Sequence, residues 1–497
     1  MRKLTPTPSA SLQALPDFSR RRLLRAGAAA LTLPLLPSCG SSSSPVGGSH
    51  CAAAVPGAAL KPPRGLHVSW LEDPLTTRTV TWFTDGSDDP GSVIEYGPVE
   101  DGMSACQIEQ AAFPMRAEGS AQATYGVDAL THIATARDLD PSRPLRYRIG
   151  SDQGWSSVRV LPPLRQDGFR FCHFGDHALS EASRAVMAGV QKLQPDFLII
   201  AGDLSYANGE QPVWDRYFDM LDPVASRLPI MTCPGNHENK DGGGAGYSTR
   251  VAQPGKINYY SYDYGRVHFC FGTGGSLVRE DNLASIPEFL AELLWMELDL
   301  AQAALRRAAG EIDFIVFVQH YSFWTNCEGR DPGNFTAILL EEHMMLRYGV
   351  DLVLVGHDHI YERSKPMAYG IPVESGYVQV TQGGGGQSLY ELIPDIAGWS
   401  EISTIRHGFT EFVVEGRTIR GTTYSVENDA IELLPSGELQ VIDRFEVHAR
   451  GSEERASFAA ARAKSKAEQE FDLDAMIRHT LERNRLHDVH EGGGLHV

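Results

Sequence analysis

Five short polar blocks carry the residues that could do chemistry, and each follows an apolar run. They are Phe174-Gly175-Asp176-His177, Gly202-Asp203-Leu204-Ser205-Tyr206, Pro234-Gly235-Asn236-His237-Glu238, Val318-Gln319-His320 and Gly356-His357-Asp358-His359. Any one alone is weak, because an Asp after Gly is ordinarily a turn residue and a lone strand histidine a satisfied core group. Together, Asp176, Asp203, Tyr206, Asn236, His320, His357 and His359 offer two carboxylates, a phenol, an amide and three imidazoles. Oxygen and nitrogen donors with no thiolate suit iron, manganese or zinc. The set is too large for one tetrahedral zinc and natural for two ions, which one carboxylate can bridge. His357 and His359 are two apart, so on an extended segment both point to one side, toward ions roughly 3.5–4 Å apart. Glycines before Asp176, Asp203, Asn236 and His357 allow the backbone to come close to such ions.

The elements that must position these blocks read as alternating strands and helices. Phe169 to Phe174, Phe197 to Ala201, Ile230 to Cys233, Phe314 to Val318 and Leu352 to Val355 are apolar strand runs. A helical stretch runs through Val190, another spans Phe335 to Tyr348, and residues 259–272 suggest a hairpin or paired strands. Leu290, Leu293, Leu294, Leu298, Ala301 and Leu305 fall at helical spacing and predict one amphipathic face. Residues 411–447 alternate again and complete a sheet. In such α/β domains, sites lie at strand ends, where loops present side chains together. Before this, Leu66 to Pro162 is all-β in pattern, with Arg78-Thr-Val-Thr-Trp-Phe-Thr84 rich in strand formers, and predicts a β-sandwich with a supporting role.

The ends read as appendages. Ser19-Arg-Arg-Arg-Leu-Leu-Arg25 before the mildly apolar Ala26 to Leu36 resembles a twin-arginine export signal. It implies passage through the twin-arginine machinery to a periplasm, cell envelope or exterior. Leu36-Pro37-Ser38-Cys39 resembles a lipoprotein cleavage box; a lipid anchor on Cys39 and plain cleavage nearby both stay open. The expected organisation is signal 1–39, flexible linker 40–62, sandwich 63–166, α/β domain 167–450 and a charged helical tail 451–497. The 497 residues carry 44 Lys plus Arg against 63 Asp plus Glu, a net charge of −19. That balance speaks against nucleic-acid binding, and no apolar run is long enough for a multi-pass transporter. Six cysteines besides Cys39 make no disulfide framework in so long a chain. Cys172 and Cys270 read as buried thiols, and Cys51 with Cys106 as the pair to test for a bridge.

In order and rough spacing, the five blocks resemble the purple acid phosphatase family, within the calcineurin-like dinuclear metallophosphoesterases. Tyr206 ending the second block, and Gly356-His-Asp-His-Ile-Tyr-Glu-Arg363 as the last, carry the likeness furthest. The resemblance implies an α/β (α+β) sandwich of two mixed β-sheets flanked by helices, preceded by a fibronectin- or immunoglobulin-like all-β domain. It implies iron(III) on Asp176, Tyr206 and His359, a divalent zinc, manganese or iron on Asn236, His320 and His357, and Asp203 between them. It further implies hydrolysis of phosphate monoesters of small molecules, metal-bound hydroxide attacking phosphorus and His237 facing the substrate and the leaving alkoxide. Many members carry histidines about nine residues after the His of the fourth block. Here those positions are Gly329 and Arg330, so Arg330 is the candidate phosphate ligand beside Asn236 and His237, with a surface salt bridge as the alternative reading. The glycine runs Gly242–Gly244 and Gly383–Gly386 are candidate rim loops, with a plain turn preferred for the first. Two alternatives stay open: a phosphodiester- or phospholipid-directed enzyme on the same fold, and a non-catalytic envelope binding lipoprotein.

Overall fold

A computed structural model describes residues 61–450, apart from 256, 257, 280 and 283. The export signal, all but the last two residues of the linker, Cys39, Cys51 and the tail therefore lie outside the described residues. Two mixed sheets form the body. The first runs, in spatial order, Ile230–Cys233, Phe197–Ala201, Phe169–Phe174, Gly408–Glu415, Thr418–Ser425 and Gln440–His448. The second runs Tyr260–Tyr264, Val267–Phe271, Phe314–Val318, Leu352–Val355, Val378–Gln382, Tyr361–Ser364 and Ser400–Thr404. The first three strands of the first sheet are mutually parallel, as are Val267–Phe271, Phe314–Val318, Leu352–Val355 and Val378–Gln382 in the second. Strands covered on both faces need no polar side, which is why Phe-Leu-Ile-Ile-Ala and Phe-Ile-Val-Phe-Val are buried throughout. Between the sheets pack Phe171, Ile199, Phe269, Val316, Leu354, Val380 and Phe412.

Helices close the outer faces. Glu181–Leu193 is capped by Ser180, whose side chain accepts from the Ser183 amide, and ends at left-handed Gln194. It packs on the first sheet with Pro212–Ala225. The long helix Ser285–Ala308 lies on the second, but not by the face its leucines predict. Its buried stripe is Phe289, Glu292, Met296, Leu300, Ala303 and Arg307, whereas Leu294 and Leu298 are 64% exposed and Leu305 72%. Two stripes of the helix satisfy the 3.6 period. The one with fewer leucines is buried because loops satisfy its charges. Glu292 accepts from the Thr273 amide and hydroxyl, and Arg307 donates to Asp351 and to the Tyr348 and Gly349 carbonyls. The expected helix 335–348 is continuous but widens to a π-turn at Ile338–Glu342, where the Glu342 carboxylate accepts from Tyr377 Oη and the Tyr369 amide.

The N-terminal sandwich pairs a four-stranded sheet with a five-stranded one around Val68, Val80, Trp82, Ile94, Tyr147 and Ile149. Its first strand, Arg64–Ser69, seats on helix Pro212–Ala225. Leu66 N donates to Asp222, Arg64 pairs with Asp215 at 3.1 Å, and the His67 ring stacks on Phe218 at 4.3 Å. That helix also supplies Trp214, whose indole donates to Asp241, and the same carboxyl accepts from the Gly209 amide in the loop after Tyr206. The sandwich thus braces a loop of the polar blocks. Cys172, Cys233, Cys270 and Cys327 are buried free thiols, and Cys106 is disulfide-bonded.

Candidate metal centre

All five blocks leave the carboxyl ends of parallel strands, three from the first sheet and two from the second, and the two sets of ends meet. The turns are tight. Asp176, Asp203, Tyr206 and His357 have φ of 58°, 52°, 55° and 70°, and so do Ala178 and Asn208 nearby, at 58° and 50°. Left-handed non-glycine residues are uncommon and cost of order 1–3 kcal/mol each, so their gathering here marks a candidate functional site. Glycines make the closest approaches: a Cβ on Gly235 would lie 2.1 Å from Asp203 Oδ1, and one on Gly356 2.6 Å from Asp176 Oδ2.

The donor atoms fall into two clusters. Tyr206 Oη is 3.0 Å from Asp176 Oδ1 and 2.9 Å from His359 Nε2, and the latter two are 3.3 Å apart. Asn236 Oδ1 is 3.0 Å from His320 Nε2 and 3.2 Å from His357 Nδ1, and the two imidazole nitrogens are 3.2 Å apart. Asp203 Oδ2 lies 3.2 Å from His320 Nε2. Asp176, Asp203 and His320 offer ligand atoms all within 4.8 Å of one another. With metal–ligand bonds of roughly 2.0–2.2 Å, neighbouring donors on one ion stand roughly 3 Å apart. Both clusters have that edge length, so the residues present fit a metal pair.

Surrounding bonds orient these donors. His320 Nδ1 donates to the Ala201 carbonyl at 2.8 Å and His359 Nδ1 to the Ser388 carbonyl at 2.6 Å, so each presents the lone pair of Nε2 inward. Asp176 and Asp203 are buried, and among the described residues both face imidazoles rather than Lys or Arg. Burial opposes the Asp203 charge, but His320 and His237 outweigh it and hold the carboxyl below its ordinary range. His320 is pushed up to about 9, against burial, by the same carboxylate. The centre calls for positive charge, which buried carboxylates obtain from pairing or from metals.

His237 stands beside the clusters. Its Nδ1 donates to Asn208 Oδ1, its ring lies 4.2 Å from that of Tyr206, and its Nε2 is 3.9 Å from Asp203 Oδ2. Arg330 is held inward: its Nε is 3.5 Å from Asp358 Oδ1 and its guanidinium lies over Tyr390, which itself stacks on His359 at 4.1 Å. Gly383–Gly386 is part of the floor rather than the rim, since a Cβ on Gly383 would lie 2.1 Å from the Asp358 carbonyl. Gly242–Gly244 is a turn against Tyr125 and Arg279.

Sequence reasoning missed Glu238, Asn208 and Tyr390. Glu238 is buried and accepts from the amides of Asp203 (2.9 Å), Leu204 (2.9 Å) and Gly235 (2.7 Å), tying the second block to the third. A signal existed: Glu three residues after Gly235 closes a capping box on the short helix Asn236–Asn239. Asn208 and Tyr390 act through contacts across the fold, which spacing does not carry.

Residues 169–361 match the family model for calcineurin-like phosphoesterases, and residues 63–161 match that for the purple acid phosphatase N-terminal domain. Acid phosphatase type 7 of Mus musculus is 28% identical over 388 residues, covering 70% of this chain and 84% of its own length. Probable purple acid phosphatase 20 of Arabidopsis thaliana is 26% identical over 388 residues, covering 72% and 82%. A solved purple acid phosphatase from yellow lupin (Lupinus luteus) seeds superposes with a TM-score of 0.63 at 21% identity, over 80% of this chain and 76% of that one. At that identity the structural likeness speaks for the fold.

Proposed function

The chain belongs to the calcineurin-like phosphoesterases and carries the N-terminal domain of the purple acid phosphatases; from that premise we propose that it hydrolyses phosphate monoesters at a dinuclear metal centre. The observation that carries the reading is the sorting of the donors into two triads about 3 Å on an edge, with Asp203 beside them. Asp176, Tyr206 and His359 would hold iron(III), the ion that best draws a phenol into ionising, and Asn236, His320 and His357 a divalent zinc, manganese or iron, with Asp203 shared. When bound, the pair supplies Lewis acidity, ionising water at mildly acidic pH and neutralising phosphoryl charge. The chain's own residues do the rest. Asn208 fixes His237 with Nδ1 as donor, which leaves Nε2 on the side of Asp203 as the atom that can pass a proton to the leaving oxygen. Arg330, clamped by Asp358 and Tyr390, donates to a phosphoryl oxygen. The twin-arginine-like segment supports export of the folded, metal-loaded protein to the envelope or exterior.

Parallel assays of p-nitrophenyl phosphate and bis-p-nitrophenyl phosphate test the reading. A higher kcat/KM on the monoester, abolished by chelation and restored by iron with zinc or manganese, is expected. A preference for the diester, or turnover that chelation leaves unchanged, would overturn it.

A further inference from the structure

The exposed leucines of helix Ser285–Ala308 form an apolar face to which the described fold gives no purpose. Leu290, Leu294, Leu298 and Leu305, with half-buried Ala301, recur every three or four residues along one side. Singly, exposed leucines are ordinary, but an unbroken stripe is not. The described chain ends beside this helix. Arg450 donates to the carbonyls of Val350 (2.8 Å) and Gly376 (2.7 Å) and stands 3.1 Å from Asp351 Oδ1. The other oxygen of Asp351 takes Arg307, in the last turn of the helix, at 2.9 Å. Residues 451–497 therefore depart from the carboxyl end of the leucine-bearing helix.

The departing sequence carries a matching stripe. Leu473, Met476, Ile477 and Leu481 fall at helical spacing, with Asp472, Arg478, Glu482 and Arg485 off that line. As a helix at 1.5 Å per residue, Leu473 to Leu481 would extend about 12 Å, enough to cover Leu294 and Leu298 and reach toward Leu305. The connection is long enough: residues 451–472 reach about 30 Å even if wholly helical, more than the length of the leucine stripe. A segment tethered this closely competes at an effective concentration of order millimolar, which a second copy in dilute solution does not attain.

We propose that residues 471–486 dock as an amphipathic helix on the leucine face of helix Ser285–Ala308, making the tail a folded cover of the outer layer. The proposal is independent of the metal centre. Hydrogen exchange read by mass spectrometry on the mature full chain tests it. Amides of 471–486 are expected to exchange about tenfold or more slowly than an unstructured segment. The protection should be lost in Leu294→Glu/Leu298→Glu, and equally in Ile477→Glu/Leu481→Glu. Both pairs avoid the catalytic machinery and the first lies at exposed positions, so unchanged hydrolysis serves as the folding control. Tail amides that exchange freely in the unmodified chain, or protection that survives Leu294→Glu/Leu298→Glu, would overturn it. So would sedimentation showing a dimer dispersed by Leu294→Glu/Leu298→Glu but not by Ile477→Glu/Leu481→Glu, which would assign the face to a second copy.

Discussion

The two donor triads differ in charge more than in shape. Asp176, Tyr206 and His359 combine a carboxylate with an ionisable phenol, whereas Asn236, His320 and His357 are neutral when they bind. Their edges are nearly equal, so geometry alone would make them interchangeable. Charge makes them unequal: the anionic triad favours a trivalent ion and the neutral one a divalent ion. The setting differs too. Asn236, His320 and His357 are buried, while Tyr206 is half-buried on a left-handed loop braced through Asp241. The lesson is that one phenol and one amide placed on similar strand ends would be enough to make the two proposed metal positions unequal.

Removing Asp203, the carboxylate proposed to serve both triads, should have the largest effect. Asp203→Asn is expected to lower kcat by about 10³-fold or more and to lower occupancy of both ions, measured by metal analysis beside steady-state kinetics. Loss of only one ion would show that Asp203 belongs to a single triad. A smaller effect is expected for Glu238→Gln, which weakens the strap from Glu238 to the amides of Asp203, Leu204 and Gly235. Activity or metal affinity should fall about 10–100-fold, the range for groups that orient ligands. An unchanged affinity would mean that the loops hold their shape without it.

The smallest effect sharpens the comparison from outside. His268 is a buried histidine between two carboxylates, Asp263 at 2.8 Å and Asp299 at 2.9 Å, away from the donor clusters. Burial opposes its charge, but the bonds to Asp263 and Asp299 prevail and hold its pKa at about 9. Since this lies above the unfolded value of about 6.5, its contribution to stability is complete below about pH 6.5 and fades as pH rises through about 9. Urea midpoints should therefore fall between pH 7 and pH 10, and less steeply in His268→Gln. Equal slopes would show that the bonds do not depend on its charge.

Much of the candidate centre was legible in the sequence because its donor residues follow short apolar strands directly. Runs such as Phe314–Val318, short and rich in β-branched and aromatic residues, read as covered strands, and the polar residue after each then emerges at a strand end. Glu238, Asn208 and Tyr390 were harder to see, since their roles depend on partners distant in the chain or on ring stacking. The long helix misled for a different reason. Periodicity reports that a stripe exists, but Glu292 and Arg307 were buried through partners on other loops, and the leucines were left outside. Arg330 could be read as a departure from the family pattern, but its clamp by Asp358 and Tyr390 could not.

The most direct test of two unequal triads is the visible spectrum of the iron-loaded protein, recorded with metal content beside Tyr206→Phe and Asn236→Ala. The account predicts a broad charge-transfer band that Tyr206→Phe abolishes. Asn236→Ala should retain the band while losing the divalent ion. A colourless iron-loaded protein, or a band that survives Tyr206→Phe, would contradict it.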